Sequence, residues 1–88
     1  MKEVGTLYRT NRCVLEVRPE NGRKFTLQEL QAYVGGNIEL VPGTARRGSP
    51  MAFCNEEGLL LKLKSNVNAS IVFKVGLVGD VIQVRKEK

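Results

Sequence analysis

The sequence predicts an α+β domain, a small and mainly antiparallel sheet of four to five strands with one or two short helices packed on one face. Three observations carry this expectation. Short apolar runs rich in Val, Ile and Leu recur along the chain, bounded by Gly, Pro and Asn. One stretch, "FTLQELQAYVGG" (25–36), has helical periodicity with both a start and a stop signal. The resulting order, β-α-β-β-(β)-α-β, is that of an α+β fold.

Taken in order, "CVLEVRP" (13–19) reads as a strand that Pro19 ends, and Asn21-Gly22 marks the turn after it. Thr26 and Glu29 form the T-x-x-E capping box of a short helix. Phe25 before the cap and Leu30 suit a hydrophobic staple, and Leu27, Leu30 and Val34 share one helical face bordered by Tyr33. Gly35-Gly36 stops the helix. "NIELV" (37–41) and "MAFCN" (51–55) read as strands joined by the loop "PGTARRGSP" (42–50). "NEEG" (55–58) is a tight turn, and "LLLKLK" (59–64) is a strand or an extended segment. In "SNVNASIVFK" (65–74) the β-branched residues suit a strand, but Ser65 or Asn66 as a cap, with Ala69, favours a helix. "VGDVIQV" (78–84) closes the chain as a strand, with residues 84–88 expected as a frayed basic tail.

Eighty-eight residues make one domain, 1–88, with one modest core and little room for a deep cleft. The N-terminal "MKEVGTLYRT" has no apolar signal-peptide core, and no apolar run reaches membrane-spanning length. The expectation is a cytoplasmic protein of a bacterial host cell, with no membrane partner. Fourteen Lys and Arg against nine Asp and Glu give a net charge of +5, which favours polyanionic partners. The chain has no histidine, which excludes Ser-His and Cys-His nucleophile pairs and His-containing metal sites. Cys13 and Cys54 each lie in an apolar run and read as buried thiols, a cross-strand disulfide being the alternative. Glu39, the Glu56-Glu57 pair and Asp80 read as solvated or turn residues. No enzyme, cofactor or metal is therefore expected.

The cationic loop is the best candidate site. Arg46 and Arg47 offer bidentate donors for phosphate, and Thr44 adds a hydroxyl; a solvated loop is the alternative. Among the aromatics, Phe25, Phe53 and Phe73 are assigned to the core, which leaves Tyr33 or Tyr8 as the candidate stacking wall for a base. So few aromatics do not make a single-strand groove, and no helix is dense in Arg and Lys.

"FTLQELQAYVGGNIELV" (25–41), "NEEG" (55–58), "SNVNAS" (65–70) and "VGDVIQV" (78–84) resemble a family of small proteins of unknown function found in phages, plasmids and other mobile elements. The match covers most of residues 13–84, and departs from the family pattern where "LKSN" (63–66) stands in place of a proline-containing segment. The resemblance implies a phage-like origin and a binding protein, and supplies no catalytic residue. Together these readings favour a non-enzymatic protein that sequesters a phosphorylated nucleotide signal of host defence, with its site between the subunits of a homo-oligomer. The alternatives are a protein-interaction inhibitor of a host enzyme and a DNA- or RNA-binding accessory protein.

Overall fold

The computed structural model describes residues 2–44 and 50–87. The strands are β1 (Lys2–Tyr8), β2 (Val14–Val17), β3 (Ile38–Leu40), β4 (Met51–Asn55) and β5 (Val81–Glu87), and the helices are α1 (Leu27–Val34) and α2 (Val67–Phe73). The five strands form one sheet in the order β2-β1-β5-β4-β3, with every pairing antiparallel. The architecture is the α+β sheet expected from the sequence.

Three assignments change. The N-terminal segment, to which the sequence pattern gave no element, is β1, flanked by β2 and β5. Val4, Leu7 and Tyr8 are all buried because both faces of this strand are covered, so it lacks the apolar–polar alternation of a half-exposed strand. Residues 59–64 are not a strand. Leu63 N–H donates to Gly58 O at 3.0 Å and Lys62 N–H to Leu59 O at 3.2 Å, with Lys62 at φ 54, which closes a single helical turn in the Schellman manner. Residues 84–87, expected as a frayed tail, are the second half of β5, with Val84 opposite Gly5 and Glu87 opposite Lys2.

Adjacent strand residues point to opposite faces, and the core divides accordingly. On one face Leu7 and Ile82 pack with Phe25, Leu30 and Val34, so α1 covers this face. On the other, Tyr8, Ala52, Cys54 and Val81 pack with Ala69 and Leu77, so α2 and the segment after it cover that face. The helices therefore lie on opposite faces rather than on one.

The capping signals act as read. Thr26 Oγ1 accepts from Glu29 N–H at 3.1 Å, and Glu29 Oε1 accepts from Thr26 N–H at 3.0 Å. Glu29 Oε2 also accepts from Glu20 N–H at 2.9 Å, and these backbone donors hold its carboxyl below the usual range. Gly35 takes the left-handed conformation at φ 79 that ends α1. Leu27, placed by periodicity on the apolar face, is exposed, while Leu30 and Val34 are buried. At α2 the cap is Asn66, whose side chain accepts from Ala69 N–H at 3.1 Å.

Candidate functional site

The end of the sheet that holds the start of β1 and the finish of β5 collects positive charge. The turn after β2 is fastened there. Asn21 Oδ1 accepts from Arg23 N–H and Lys24 N–H, both at 2.9 Å. Glu3 N–H donates to Arg23 O at 2.7 Å, and Glu3 Oε1 accepts from Phe25 N–H at 2.8 Å. Arg23 and Lys24 are thus held beside Glu3, which Lys86 faces across the β1–β5 ladder, while Lys2 stands opposite Glu87 and points to the other face. All four cations are exposed, and among the described residues none forms an ion pair.

Neighbouring cations on the same end are neutralised. Arg18 reaches Glu87 at 3.0 Å and Glu16 at 3.2 Å, and Arg85 reaches Glu16 at 3.3 Å and Thr6 Oγ1 at 2.7 Å. The hydrogen bond and charge of Arg18 hold the Glu87 carboxyl below its usual range, and Glu87 in turn raises Arg18. These pairs are exposed and add little stability. They leave Lys2, Arg23, Lys24 and Lys86 as the free cations of this end among the described residues.

The β3–β4 connection enters β4 at the same end, since Met51, the first residue of β4, pairs with Val84 one residue before Arg85. Arg46 and Arg47 belong to this connection and lie outside the described residues. Thr44 is 7% exposed, and its hydroxyl is already engaged. It donates to Val41 O at 2.8 Å and accepts from Ala52 N–H at 3.2 Å, tying the base of the connection to the sheet.

The two tyrosines lie on opposite faces of the sheet. Tyr8 is buried on the α2 face with its ring edge-on to Phe73 at 5.6 Å between centroids. Tyr33 lies on the α1 face, edge-on to Phe25 at 6.3 Å, and borders a shallow pocket with Thr10, Lys64 and Asp80. That pocket is at the opposite end of the sheet, where β1 ends and β5 begins.

Asn55 and Asp80, polar residues of two turns, serve the fold. Asn55 donates from Nδ2 to Val34 O at 3.1 Å and accepts Glu57 N–H at 2.8 Å. Asp80 accepts from Thr10 N–H at 3.0 Å and pairs with Arg9 at 3.4 Å. The described residues include no group of three or more His, Cys, Asp or Glu placed to hold a metal ion. No described helix is long and apolar enough to cross a membrane.

The thiols differ, and Cys13 corrects the reading of two buried cysteines. Both are free; Cys13 is exposed in the β1–β2 connection and Cys54 is buried. Burial, and after it the charge of Glu39, raises the Cys54 pKa. Titration with an aromatic disulfide reagent is expected to show one fast thiol, abolished by Cys13→Ser, and a second that reacts only on unfolding. Equal rates for both would contradict this placement.

Over residues 9–88 the chain matches the family described as a domain of unknown function, DUF3846, and it belongs to that family. The matched range begins after β1, although β1 pairs with β5 and is the partner of β2. Neither a curated protein nor a solved structure matches the chain.

Proposed function

We propose that the chain is a non-catalytic binding module that holds a phosphorylated ligand, a nucleotide in the first instance, at the basic end of its sheet. The observation that carries this reading is the placement of Lys2, Arg23, Lys24 and Lys86 at one end of the sheet without ion-pair partners among the described residues. Like charges gathered at one end of a small domain oppose folding, and a polyanion relieves that repulsion. Arg46 and Arg47, on the connection that enters β4 at this end, would supply the planar donors that clasp phosphate oxygens bidentately. With Tyr8 in the core and Tyr33 at the far end, recognition rests on phosphate rather than on base stacking.

Holding without turnover suits a protein that withdraws a nucleotide signal of host defence, a role in keeping with a mobile-element origin. Assembly would proceed through β2, a four-residue edge strand with Val14 and Leu15 exposed, which offers its free backbone groups to a second copy.

A thermal-shift series with cyclic dinucleotides, cyclic trinucleotides, ATP and a short DNA duplex tests the reading. A ligand at a hundredfold its Kd adds about 2.7 kcal/mol to stability. The expected result is a shift with one nucleotide that disappears in Arg46→Ala/Arg47→Ala and weakens in Arg23→Ala/Lys24→Ala. A shift only with the duplex, falling steeply with salt, would move the assignment to nucleic-acid binding. No shift with any of them would refute it.

A further inference from the structure

A second surface is opposite in character to the basic end. A groove of about 410 Å³ runs between the β3–β4 strand ends and the turn that follows, lined by Glu39, Glu56, Glu57, Leu59, Leu60 and Leu77 among others. Most carboxylates of the described residues are engaged. Glu3 and Glu29 accept backbone N–H groups, Glu16 and Glu87 bind arginines, and Asp80 does both. Four have neither a hydrogen bond nor an ion pair among the described residues: Glu20, Glu39, Glu56 and Glu57. Three of the four line this one groove, in a protein of net charge +5.

The apolar part is equally out of place. Leu59 and Leu60 are 82% and 81% exposed, on a turn fixed at both ends by backbone hydrogen bonds. Leu61 N–H donates to Glu57 O at 2.9 Å and Leu63 N–H to Gly58 O at 3.0 Å, so the two leucines are presented on an ordered scaffold. Burying leucines of this kind is favourable, and a rim of unpaired carboxylates selects the charge of what buries them.

We propose that this groove docks a basic amphipathic segment of a partner protein, whose apolar side chains cover Leu59 and Leu60 and whose Lys or Arg residues pair with Glu39, Glu56 and Glu57. Charge complementarity fixes the class of partner. An acidic segment would meet three like charges, and an apolar one would leave them unpaired at the interface. The groove lies where β4 ends at Asn55, away from the Met51 end that faces the phosphate site, so the two surfaces can be tested separately.

The test is fluorescence anisotropy with a fluorescein-labelled peptide of repeating Lys-Leu-Leu-Lys units, against the same peptide with Glu in place of Lys. Glu39→Gln/Glu56→Gln/Glu57→Gln and Leu59→Ser/Leu60→Ser are each expected to weaken binding of the basic peptide by about tenfold or more. Glu20→Gln is expected to bind as the parent does, and any binding of the acidic peptide to be unchanged by the groove variants. All these positions are exposed, so circular dichroism of each variant is expected to match the parent. Failure of the basic peptide to bind the parent, binding indifferent to both groove variants, or binding of the acidic peptide that the groove variants weaken would overturn the proposal. So would sedimentation showing that the parent self-associates and Leu59→Ser/Leu60→Ser does not, since a second copy would then fill the groove.

Discussion

Asn66→Ala is expected to lower the unfolding free energy by about 3–5 kcal/mol, the largest effect of any single substitution considered. Asn66 is fully buried, and all of its side-chain polar atoms are in use. Its Nδ2 donates to Tyr8 O at 2.7 Å and to Gly79 O at 2.8 Å, while Oδ1 accepts from Ala69 N–H at 3.1 Å. One side chain thus caps α2 and ties the end of β1 to the turn before β5. Truncation strands two carbonyls and an amide inside the protein, each costing about 1–3 kcal/mol before relaxation. For a domain of 88 residues, whose whole stability is on the order of 4–13 kcal/mol, this approaches unfolding at room temperature. Asn66→Asp separates the contributions. It keeps the acceptor for Ala69 but loses both donors, so it is expected to be no more stable than Asn66→Ala at neutral pH. Urea titration of both variants measures the loss, and a loss below about 1 kcal/mol for Asn66→Ala would show that water replaces these bonds.

Gly79→Ala is expected to cost about 2–4 kcal/mol, from two separate sources. The residue sits at φ 75, where a side chain costs about 1–2 kcal/mol. A Cβ there would also lie 2.7 Å from Leu63 Cδ1, forcing that side chain aside. Backing away is opposed by the hydrogen bonds on either side of the α-carbon: the N–H donates to Lys64 O at 2.7 Å, and the carbonyl accepts from Asn66. Gly22→Ala is the control. Gly22 has the same backbone conformation, at φ 76, with nothing within 4 Å of the added carbon. It is expected to lose only the conformational part, and the difference between the two variants measures the Leu63 contact. Equal losses would show that Leu63 moves at no cost.

What could be read from the sequence was local. The Thr26–Glu29 box, the Gly35 stop, the Asn21-Gly22 turn and the Asn66 cap each depend on residues within a few positions of one another. What could not be read depends on the third dimension. Strand β1 escaped notice because cover on both faces removes alternation, and Gly5 at its centre weakens the strand signal further. The run "LLLKLK" looks like a strand until Gly58 and Leu59 carbonyls are seen to close a turn over Leu59 and Leu60. Leu27 has the spacing of a core residue, yet the sheet beneath α1 meets Leu30 and Val34 instead. For the candidate site, the residue types of Thr44 and Tyr8 suggested ligand contacts. Only the register of β3 on β4 shows that the Thr44 hydroxyl is taken, and only the packing of α2 shows that Tyr8 is enclosed. Conversely, the gathering of Lys2, Arg23, Lys24 and Lys86 from distant parts of the chain left no trace in a sequence whose basic residues look scattered.

The measurement that bears most directly on the phosphate-binding assignment is an amide ¹H–¹⁵N correlation spectrum of the protein titrated with ATP. The account predicts saturable shifts confined to Lys2, Glu3, Arg23, Lys24, Met51, Arg85, Lys86 and the connection carrying Arg46 and Arg47, all lost at high salt. Shifts centred on Tyr33, Gly35 and Asp80, or no shifts from ATP or from the nucleotide that stabilises the protein most, would contradict it.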